Sequence, residues 1–481
     1  MNKKMIFSTL GKLLIAESAL MLLPLIVSIC YKESKVSISF LITIFIAGAI
    51  GMALYLLCRT NNKTIFAKEG FIIVAFGWLG MSAIGAIPFV ISGDIPHYID
   101  AFFETVSGFT TTGATILRNV EILSRGGLFW RSFTHWIGGM GVLVFVMAVL
   151  PSISDRSIHI MRAEMPGPII GKIVPKARET ARVLYVIYLV MTVVEAILLL
   201  CGGMSLYESF IHAFGTAGTG GFGIRNDSIA SYSPYIQWVI TVFMFLFGIN
   251  FNLYYLILIG KFKNAIKSGE LWAYAGIAFM SVAVISINIA HLFDNFGDAF
   301  RASAFQVSSF ITSTGFATAN FNSWPVLSKT VLIVLMFIGA CAGSTGGGFK
   351  VARVVMLVKM IKQELRRVIH PRSVTAVRFE GKALDSATLS SVSSYLAIYL
   401  VFFIGALLLI SFDSLSFESN FTATLSCINN IGPIFSQTNP LISFDDYGLF
   451  SKIVLSLAML LGRLEIYPLL IALIPSTWTK K

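Results

Sequence analysis

Long apolar stretches recur along this chain and constrain its fold more than any other feature. Each contains about twenty residues or more, enough to cross a hydrocarbon core about 30 Å thick. The predicted spans are residues 11–30, 36–58, 70–92, 127–151, 182–202, 232–260, 271–292, 327–358, 389–411 and 448–475. Composition agrees, since 56% of the residues are hydrophobic and only 12% are charged. The chain is therefore predicted to be an all-α integral membrane protein.

The net charge of +12 is distributed as the positive-inside rule requires. With the N-terminus in the cytoplasm, 26 of the 36 lysines and arginines fall in the pieces predicted to be cytoplasmic. This bias explains the basic balance without a nucleic-acid partner. Both termini are predicted to be cytoplasmic.

A short polar segment that ends in glycine recurs four times between these apolar stretches. The copies are Phe109-Thr-Thr-Thr-Gly113-Ala, Thr216-Ala-Gly-Thr-Gly220-Gly, Ile311-Thr-Ser-Thr-Gly315-Phe and Ile428-Asn-Asn-Ile-Gly432-Pro. Non-helical backbone is tolerated at membrane depth only where protein or water satisfies its polar groups. Four such segments that converge on one axis can turn their carbonyls inward and replace the hydration shell of a cation. Neutral oxygen ligands suit a weakly held monovalent ion better than Mg²⁺ or Zn²⁺.

The chain is predicted to contain a two-helix unit followed by four pseudo-symmetric repeats around one central pore. Each repeat has an outer helix, a re-entrant half-helix with its polar loop, and an inner helix. The predicted boundaries are 1–68 for the two-helix unit and 69–165, 166–267, 268–382 and 383–481 for the repeats.

On these motifs, over essentially its whole length, the chain resembles the TrkH/KtrB/HKT superfamily of potassium transporters. The resemblance implies that the four motif glycines form a potassium-selectivity ring and that the two residues before each supply coordinating oxygens. The implied potassium-binding residues are Thr111, Thr112, Gly113, Gly218, Thr219, Gly220, Ser313, Thr314, Gly315, Asn430, Ile431 and Gly432. A serine at the first glycine goes with sodium preference in this superfamily, so Gly113 points to potassium. The asparagines of the fourth copy predict an unequal ring and less strict selectivity.

A glycine-rich run, residues 339–348, interrupts the inner helix of the third repeat. Each glycine disfavours helix by about 1 kcal/mol relative to alanine. A close helix-packing surface is one reading, and a phosphate-binding loop is disfavoured because neither a strand nor a Gly-Lys-Ser/Thr sequence accompanies it. The preferred reading is a broken helix with a loop under the filter, which the resemblance implies obstructs the pore. The predicted loop residues are Gly343, Ser344, Thr345, Gly346, Gly347 and Gly348.

Arg463 lies in the middle of the last predicted span. A charge at that depth costs about 2.5–3.5 kcal/mol and should face a pore or a partner. One reading is a structural ion pair, with Glu465 or another acid. The other, which the resemblance supports, is a fixed positive charge near the intramembrane loop that interacts with the loop carbonyls and raises the barrier to cations. Lys350, just beyond that loop, is predicted to lie at the cytoplasmic end of the helix and to anchor it.

The basic stretch from Lys359 to Lys382 faces lipid headgroups or docks a cytosolic regulator. The resemblance implies a partner of the TrkA type, a nucleotide-binding ring of RCK domains, and a homodimer. It also implies residence in the bacterial inner membrane. This chain is expected to bind no cofactor and to hold K⁺ only as the transported ion.

These observations favour potassium uptake down the electrochemical gradient. The alternative is a proton- or sodium-coupled secondary transporter, which would use ionisable residues at the bilayer midplane. An intramembrane enzyme is disfavoured, because the six histidines have no metal-ligand spacing and the sequence pairs no nucleophile with a base.

Overall fold

The computed structural model describes residues 1–60, 66–141, 177–372, 376–435 and 443–478. Within these ranges the chain is largely helical, and its only sheet is a hairpin of two short antiparallel strands. The predicted all-α membrane class is confirmed. Helices suit this environment because they satisfy their own backbone hydrogen bonds in lipid.

The element bounds follow the predicted order of helix and loop. The helices are α1 (Lys3–Leu20), α2 (Leu22–Cys30), α3 (Ser34–Leu57), α4 (Ala67–Gly85), α5 (Ile87–Ser92), α6 (Tyr98–Phe109), α7 (Arg125–Gly139), α8 (Ala177–Cys201), α9 (Leu206–Ala217), α10 (Pro234–Phe247), α11 (Phe251–Leu258), α12 (Phe262–Ile266), α13 (Gly269–Ile289), α14 (Phe296–Ile311), α15 (Val326–Ile338), α16 (Val351–Ile369), α17 (Ser386–Ile410), α18 (Phe417–Ile428), α19 (Leu449–Arg463) and α20 (Tyr467–Leu473). The strands are β1 (Arg378–Phe379) and β2 (Lys382–Ala383).

Six described stretches are long and apolar enough to cross a membrane as single or gently broken helices. They are Lys3–Cys30, Ser34–Leu57, Lys68–Ser92, Ala181–Cys201, Gly269–Leu292 and Ser386–Asp413. Large apolar side chains on α3 and α17 are exposed on the outside, including Phe45 and Leu57 at 77% and 81% exposure. Such exposure is expected where the solvent is lipid rather than water.

The first two spans pack tightly through small residues. A Cβ on Gly11 would lie 2.6 Å from the Gly51 carbonyl oxygen, and a Cβ on Gly51 would lie 2.8 Å from the Gly11 carbonyl oxygen. Glycines at a helix crossing let the two backbones approach closely, which is a common packing mode in membranes.

Four units of similar plan follow, each with an outer helix, a pore helix, a loop and an inner helix. The outer helices are α4–α5, α8, α13 and α17, the pore helices are α6, α9, α14 and α18, and the inner helices are α7, α10, α15 and α19. The exact repeat boundaries stay predictions.

The inner helices contain only 13 to 15 residues. At 1.5 Å per residue they are about 20–22 Å long, too short for the hydrocarbon core. The predicted interruption of 327–358 is confirmed, because α15 ends at Ile338 and α16 begins at Val351. The predicted spans 232–260 and 448–475 are each broken, since α10–α11 and α19–α20 bend by 88° and 118°. The predicted 127–151 span lies partly outside the described residues.

The ends of the inner helices lie against the ends of the pore helices. A Cβ on Gly138 would overlap the Phe109 carbonyl oxygen, and a Cβ on Gly462 would overlap the Ile428 carbonyl oxygen. A Cβ on Gly248 would lie 2.7 Å from the Thr312 side chain. The inner helices of the first and fourth repeats thus meet their own pore helices, and that of the second repeat meets the end of the third pore helix.

Candidate ion-binding site

The four pore helices end in the same backbone conformation. Two residues beyond each helix lies a non-glycine residue with φ of 54° to 57°, in the left-handed region: Thr111, Thr219, Ser313 and Asn430. Two residues further lies a glycine with φ of 78° to 99°: Gly113, Gly221, Gly315 and Gly432. Alternating right- and left-handed residues turn successive carbonyls in one direction, and glycine adopts φ above zero without a Cβ clash. We call residues 110–113, 218–221, 312–315 and 429–432 the filter segments.

The same backbone hydrogen bond fixes each filter segment to its pore helix. The amide before each glycine donates to a carbonyl five residues earlier: Thr112 to Ser107 at 2.9 Å, Gly220 to Gly215 at 2.8 Å, Thr314 to Ser309 at 2.8 Å and Ile431 to Ser426 at 2.9 Å. The pore helices thus set the height of every filter segment.

The four filter segments close into a ring. A Cβ built on Gly113 would overlap the Gly220 carbonyl oxygen, one on Gly221 the Thr314 oxygen, and one on Gly315 the Ile431 oxygen. A Cβ on Gly432 would lie 2.7 Å from the Thr112 carbonyl oxygen, which returns to the first repeat. At each of the four positions a side chain would clash with a carbonyl oxygen of the next repeat in cyclic order, so each position needs glycine.

The predicted register of the second repeat is wrong by one residue. Gly221, not Gly220, has the left-handed conformation and the cyclic contact of the other three glycines. Gly220 occupies the position of Thr112, and Gly218 that of Thr110. The sequence offered a doublet, Gly220-Gly221, and the Thr-Gly pair favoured the first glycine. Gly220 is glycine for a different reason, because a Cβ there would overlap the His135 ring.

Side chains of the filter segments bond to each other and to the surrounding helices. The Thr110 and Thr112 hydroxyls lie 2.8 Å apart, and those of Thr312 and Thr314 lie 2.7 Å apart. In the fourth segment the Asn430 amide donates to the Thr112 hydroxyl at 3.0 Å and to the Met459 carbonyl at 2.9 Å. These bonds support the segments, while the backbone carbonyls form the ring.

A cavity of about 250 Å³ lies on the other side of the ring from the glycine-rich loop. Its lining includes all four left-handed glycines, Gly113, Gly221, Gly315 and Gly432, together with residues of the segments that follow them. Arg131 also lines it. We call this cavity the outer vestibule.

The loop formed by residues 339–350, the intramembrane loop, lies directly against the opposite side of the ring. The Gly347 amide donates to the Ser313 hydroxyl at 2.5 Å. A Cβ on Gly346 would lie 2.7 Å from the Thr312 carbonyl oxygen, and a Cβ on Gly347 would overlap the Asn429 carbonyl oxygen. The glycines of this loop therefore allow backbone to pack against the filter segments.

Arg463 joins the intramembrane loop to the first repeat. Its guanidinium donates to the Thr345 carbonyl at 2.7 Å and to the Gly138 and Gly139 carbonyls at 2.6 and 2.7 Å. The latter two belong to the C-terminal end of α7, where a cation also complements the helix dipole. The Glu465 carboxylate, the acid named in one of the two readings from sequence, accepts a hydrogen bond from Arg353 at 2.5 Å.

Lys350 is not at the cytoplasmic end of its helix, and that prediction is wrong. It is 1% exposed at the end of the intramembrane loop, and its ammonium donates to the Gly346 carbonyl. The chain folds back after Gly339, which places Lys350 beside the loop rather than a full helix length below it. Two cations, from Arg463 and Lys350, therefore bind the adjacent carbonyls of Thr345 and Gly346.

Among the described residues, no group of three or more His, Cys, Asp or Glu side chains has metal-ligand geometry. His135 and His212 are fully buried, in ring contact with Phe222 and Phe316 respectively. The ligands that the described site offers a cation are thus neutral backbone and hydroxyl oxygens.

Comparisons with known proteins agree on one family. A family model described as TrkH, cation transport protein, matches residues 36–480. The chain is 34% identical to the Trk system potassium uptake protein TrkH of Salmonella typhimurium over 492 residues, covering 99% of this chain and 100% of the relative. It is 34% identical to the Trk system potassium uptake protein TrkG of Escherichia coli, covering 94% and 93%. The crystal structure of the potassium transporter TrkH from Vibrio parahaemolyticus superposes with a TM-score of 0.90 at 32% identity, covering all of both chains.

Proposed function

This chain belongs to the TrkH family of cation transport proteins, and from that premise we propose that it takes up potassium ions across the bacterial cytoplasmic membrane through its ring of filter carbonyls. One observation carries the proposal, the cyclic contact of each filter glycine with a carbonyl of the next repeat. A closed ring of carbonyls is the arrangement that replaces the hydration shell of a monovalent cation.

The filter is unequal around the ring. The first and third segments contain paired threonine hydroxyls, the second contains three glycines, and the fourth contains two asparagines and an isoleucine. The Asn430 side chain donates a hydrogen bond to Thr112 of the first segment, so the contact between repeats four and one differs from the contacts between the other repeats. We expect such a filter to select potassium less strictly than four identical subunits would.

The intramembrane loop is proposed as the gate. Its backbone lies against the filter segments, and the charged side chains of Arg463 and Lys350 hold two of its carbonyls. Charge-assisted hydrogen bonds of this kind are worth about 1.5–3 kcal/mol each. Moving the loop aside requires breaking them, which suits an element with a closed and an open arrangement.

Regulation is proposed to enter from the cytoplasmic side. Helix α16 begins at the loop and continues to Ile369, where Arg366 and Arg367 are exposed. Phe379 of the hairpin is buried in one cluster with Ala342 of the loop. A cytosolic partner of the TrkA type that binds this surface could therefore act on the loop. The homodimer and the cytoplasmic location of both termini belong to the same proposal.

Proton- or sodium-coupled transport is the alternative mechanism. The filter segments, all within the described residues, contain no ionisable side chain. A coupled transporter would be expected to place such groups on the ion path. We therefore favour passive permeation.

The test is potassium or rubidium uptake in cells that lack other potassium uptake systems. Cells with the wild-type chain should grow at low potassium and accumulate rubidium. Gly113→Ser should reduce discrimination between potassium and sodium, because the new side chain meets the Gly220 carbonyl. Gly276→Ala is the matched control, since no atom lies within 4 Å of its Cβ position. Absence of uptake by wild type, or unaltered discrimination in an inserted Gly113→Ser protein, would refute the proposal.

A further inference from the structure

A buried ion pair lies beside the filter in the first repeat. The Arg131 guanidinium on α7 donates to the Glu104 carboxylate on pore helix α6, with Nε and Oε1 2.5 Å apart. Their side chains are 3% and 0% exposed. Buried pairs of this kind are costly to desolvate and costly to break, so they need further contacts to be retained.

Glu104 holds the chain just beyond the first filter segment. Its two carboxylate oxygens accept from the Thr115 hydroxyl at 2.9 Å and from the Ile116 amide at 3.0 Å. These residues lie two and three positions beyond Gly113. The position of Glu104 therefore determines the path of the chain after the first filter segment.

Arg131 holds the corresponding chain of the second repeat. Its Nη1 donates to the Gly223 carbonyl at 3.2 Å, and its guanidinium carbon lies 3.5 Å from the centre of the Phe222 ring. Both residues follow Gly221. The ion pair thus bridges the outer segments of the first and second repeats, and Arg131 also lines the outer vestibule.

The other repeats place different residues at the position of Glu104. In the register set by the left-handed glycines, its counterparts are His212, Gln306 and Ala423. Within the described pore helices, the first repeat alone has a carboxylate at this height. The ion pair is thus a feature of the junction between the first and second repeats rather than of the pseudo-symmetric plan of the ring.

We propose that Glu104 and Arg131 are positioning residues that set the spacing of the filter carbonyls between repeats one and two. Glu104 has a second effect, because its charge neutralises a guanidinium that would otherwise oppose cations in the outer vestibule. This inference rests on the proposed function, since it concerns the same ion path.

The two effects separate in a double-mutant design. Glu104→Gln keeps the shape but leaves the Arg131 charge unneutralised, so the potassium concentration for half-maximal uptake should rise about tenfold. Glu104→Gln combined with Arg131→Met removes both charges and should return that concentration to within about threefold of wild type. Both variants should discriminate less between potassium and sodium, since both weaken the bridge. Arg131→Lys keeps the charge but not the planar contact with Phe222, and should lower discrimination while half-saturation changes little.

Asp298→Asn is the matched control. It removes a carboxylate that pairs with Arg301 at 2.7 Å near the start of pore helix α14, where both side chains are partly exposed. Its potassium concentration for half-maximal uptake and its discrimination between potassium and sodium should match those of the wild type. Rubidium uptake at varied potassium and sodium is measured for each variant and divided by its membrane abundance.

Two results would overturn the inference. The first is that Glu104→Gln and the double variant need the same potassium concentration for half-maximal uptake. The second is that Arg131→Lys and the double variant discriminate between potassium and sodium as well as the wild type does. If Glu104→Gln does not insert, the other two variants still decide the positioning role. Failure of the wild type to take up potassium would instead refute the proposed function.

Discussion

Gly221→Ala is the substitution that most directly tests the ring register. Gly221 has φ of +78°, and a Cβ there would overlap the Thr314 carbonyl oxygen of the next repeat. Gly220, its neighbour, is not in the left-handed region, and a Cβ there would overlap the His135 ring instead. The two alanine substitutions therefore strain the site for different reasons.

The magnitude follows from these contacts. A non-glycine residue in the left-handed region costs about 1–2 kcal/mol. Restoring ordinary van der Waals separation from the new methyl group requires the Thr314 oxygen to move by about 1 Å. A carbonyl displaced that far no longer fits the ion as its neighbours do. Since 1.4 kcal/mol is a factor of ten, we expect discrimination between potassium and sodium to fall about tenfold or more.

The assay compares Gly221→Ala and Gly220→Ala, each with and without His135→Ala, in rubidium uptake with sodium competition. Removing the His135 ring should relieve Gly220→Ala, because the clash is with that side chain. It should not relieve Gly221→Ala, because the clash is with backbone. Wild-type discrimination in an inserted Gly221→Ala protein, or its rescue by His135→Ala, would refute the assigned register.

Three further predictions concern the cations Arg463, Lys350 and Lys452. Arg463→Ala should raise basal potassium flux about tenfold or more, because three charge-assisted bonds to carbonyls are lost; unchanged flux in an inserted protein would contradict the gate. Lys350→Met should also raise potassium flux. In the double variant the effects of Lys350→Met and Arg463→Ala on the flux should be less than additive, because both side chains bind the intramembrane loop. Fully additive effects would argue against action through the same loop. Lys452→Met should lower the unfolding free energy by about 3–5 kcal/mol, because it leaves the buried Asp100 carboxylate, 2.7 Å away, without its cation. Thermal unfolding in detergent measures this loss, which the added change Asp100→Asn should partly reverse.

The error of one residue in the second repeat shows where sequence reasoning reached its limit. The segment around Gly220 contains three glycines, and their spacing alone does not identify the one that contacts another repeat. Only the end of α9 at Ala217 fixes the count, and helix ends depend on local capping and on packing. Counting four residues from each helix end gives Gly113, Gly221, Gly315 and Gly432.

The bends of the inner helices were likewise beyond the sequence. Residues 232–260 and 448–475 are apolar throughout most of their length, and apolar length predicts a span without predicting a bend within it. The breaks occur where pore helices from the same ring meet the inner helices, as Gly462 meets the Ile428 carbonyl. Hydropathy reports partition into lipid and contains no information on these contacts.

The sequence by itself determined the membrane class, the order of helices and polar loops, and the four polar segments that meet in the ring, because each depends on residues near one another in the chain. The tertiary structure decided which glycines face which carbonyls and which partners the charged side chains have. Arg463 bonds to Gly138, 325 residues away, and Arg353 pairs with Glu465, 112 residues away. Such pairings depend on how the repeats close around one axis, and closure is a property of the whole ring rather than of any one segment.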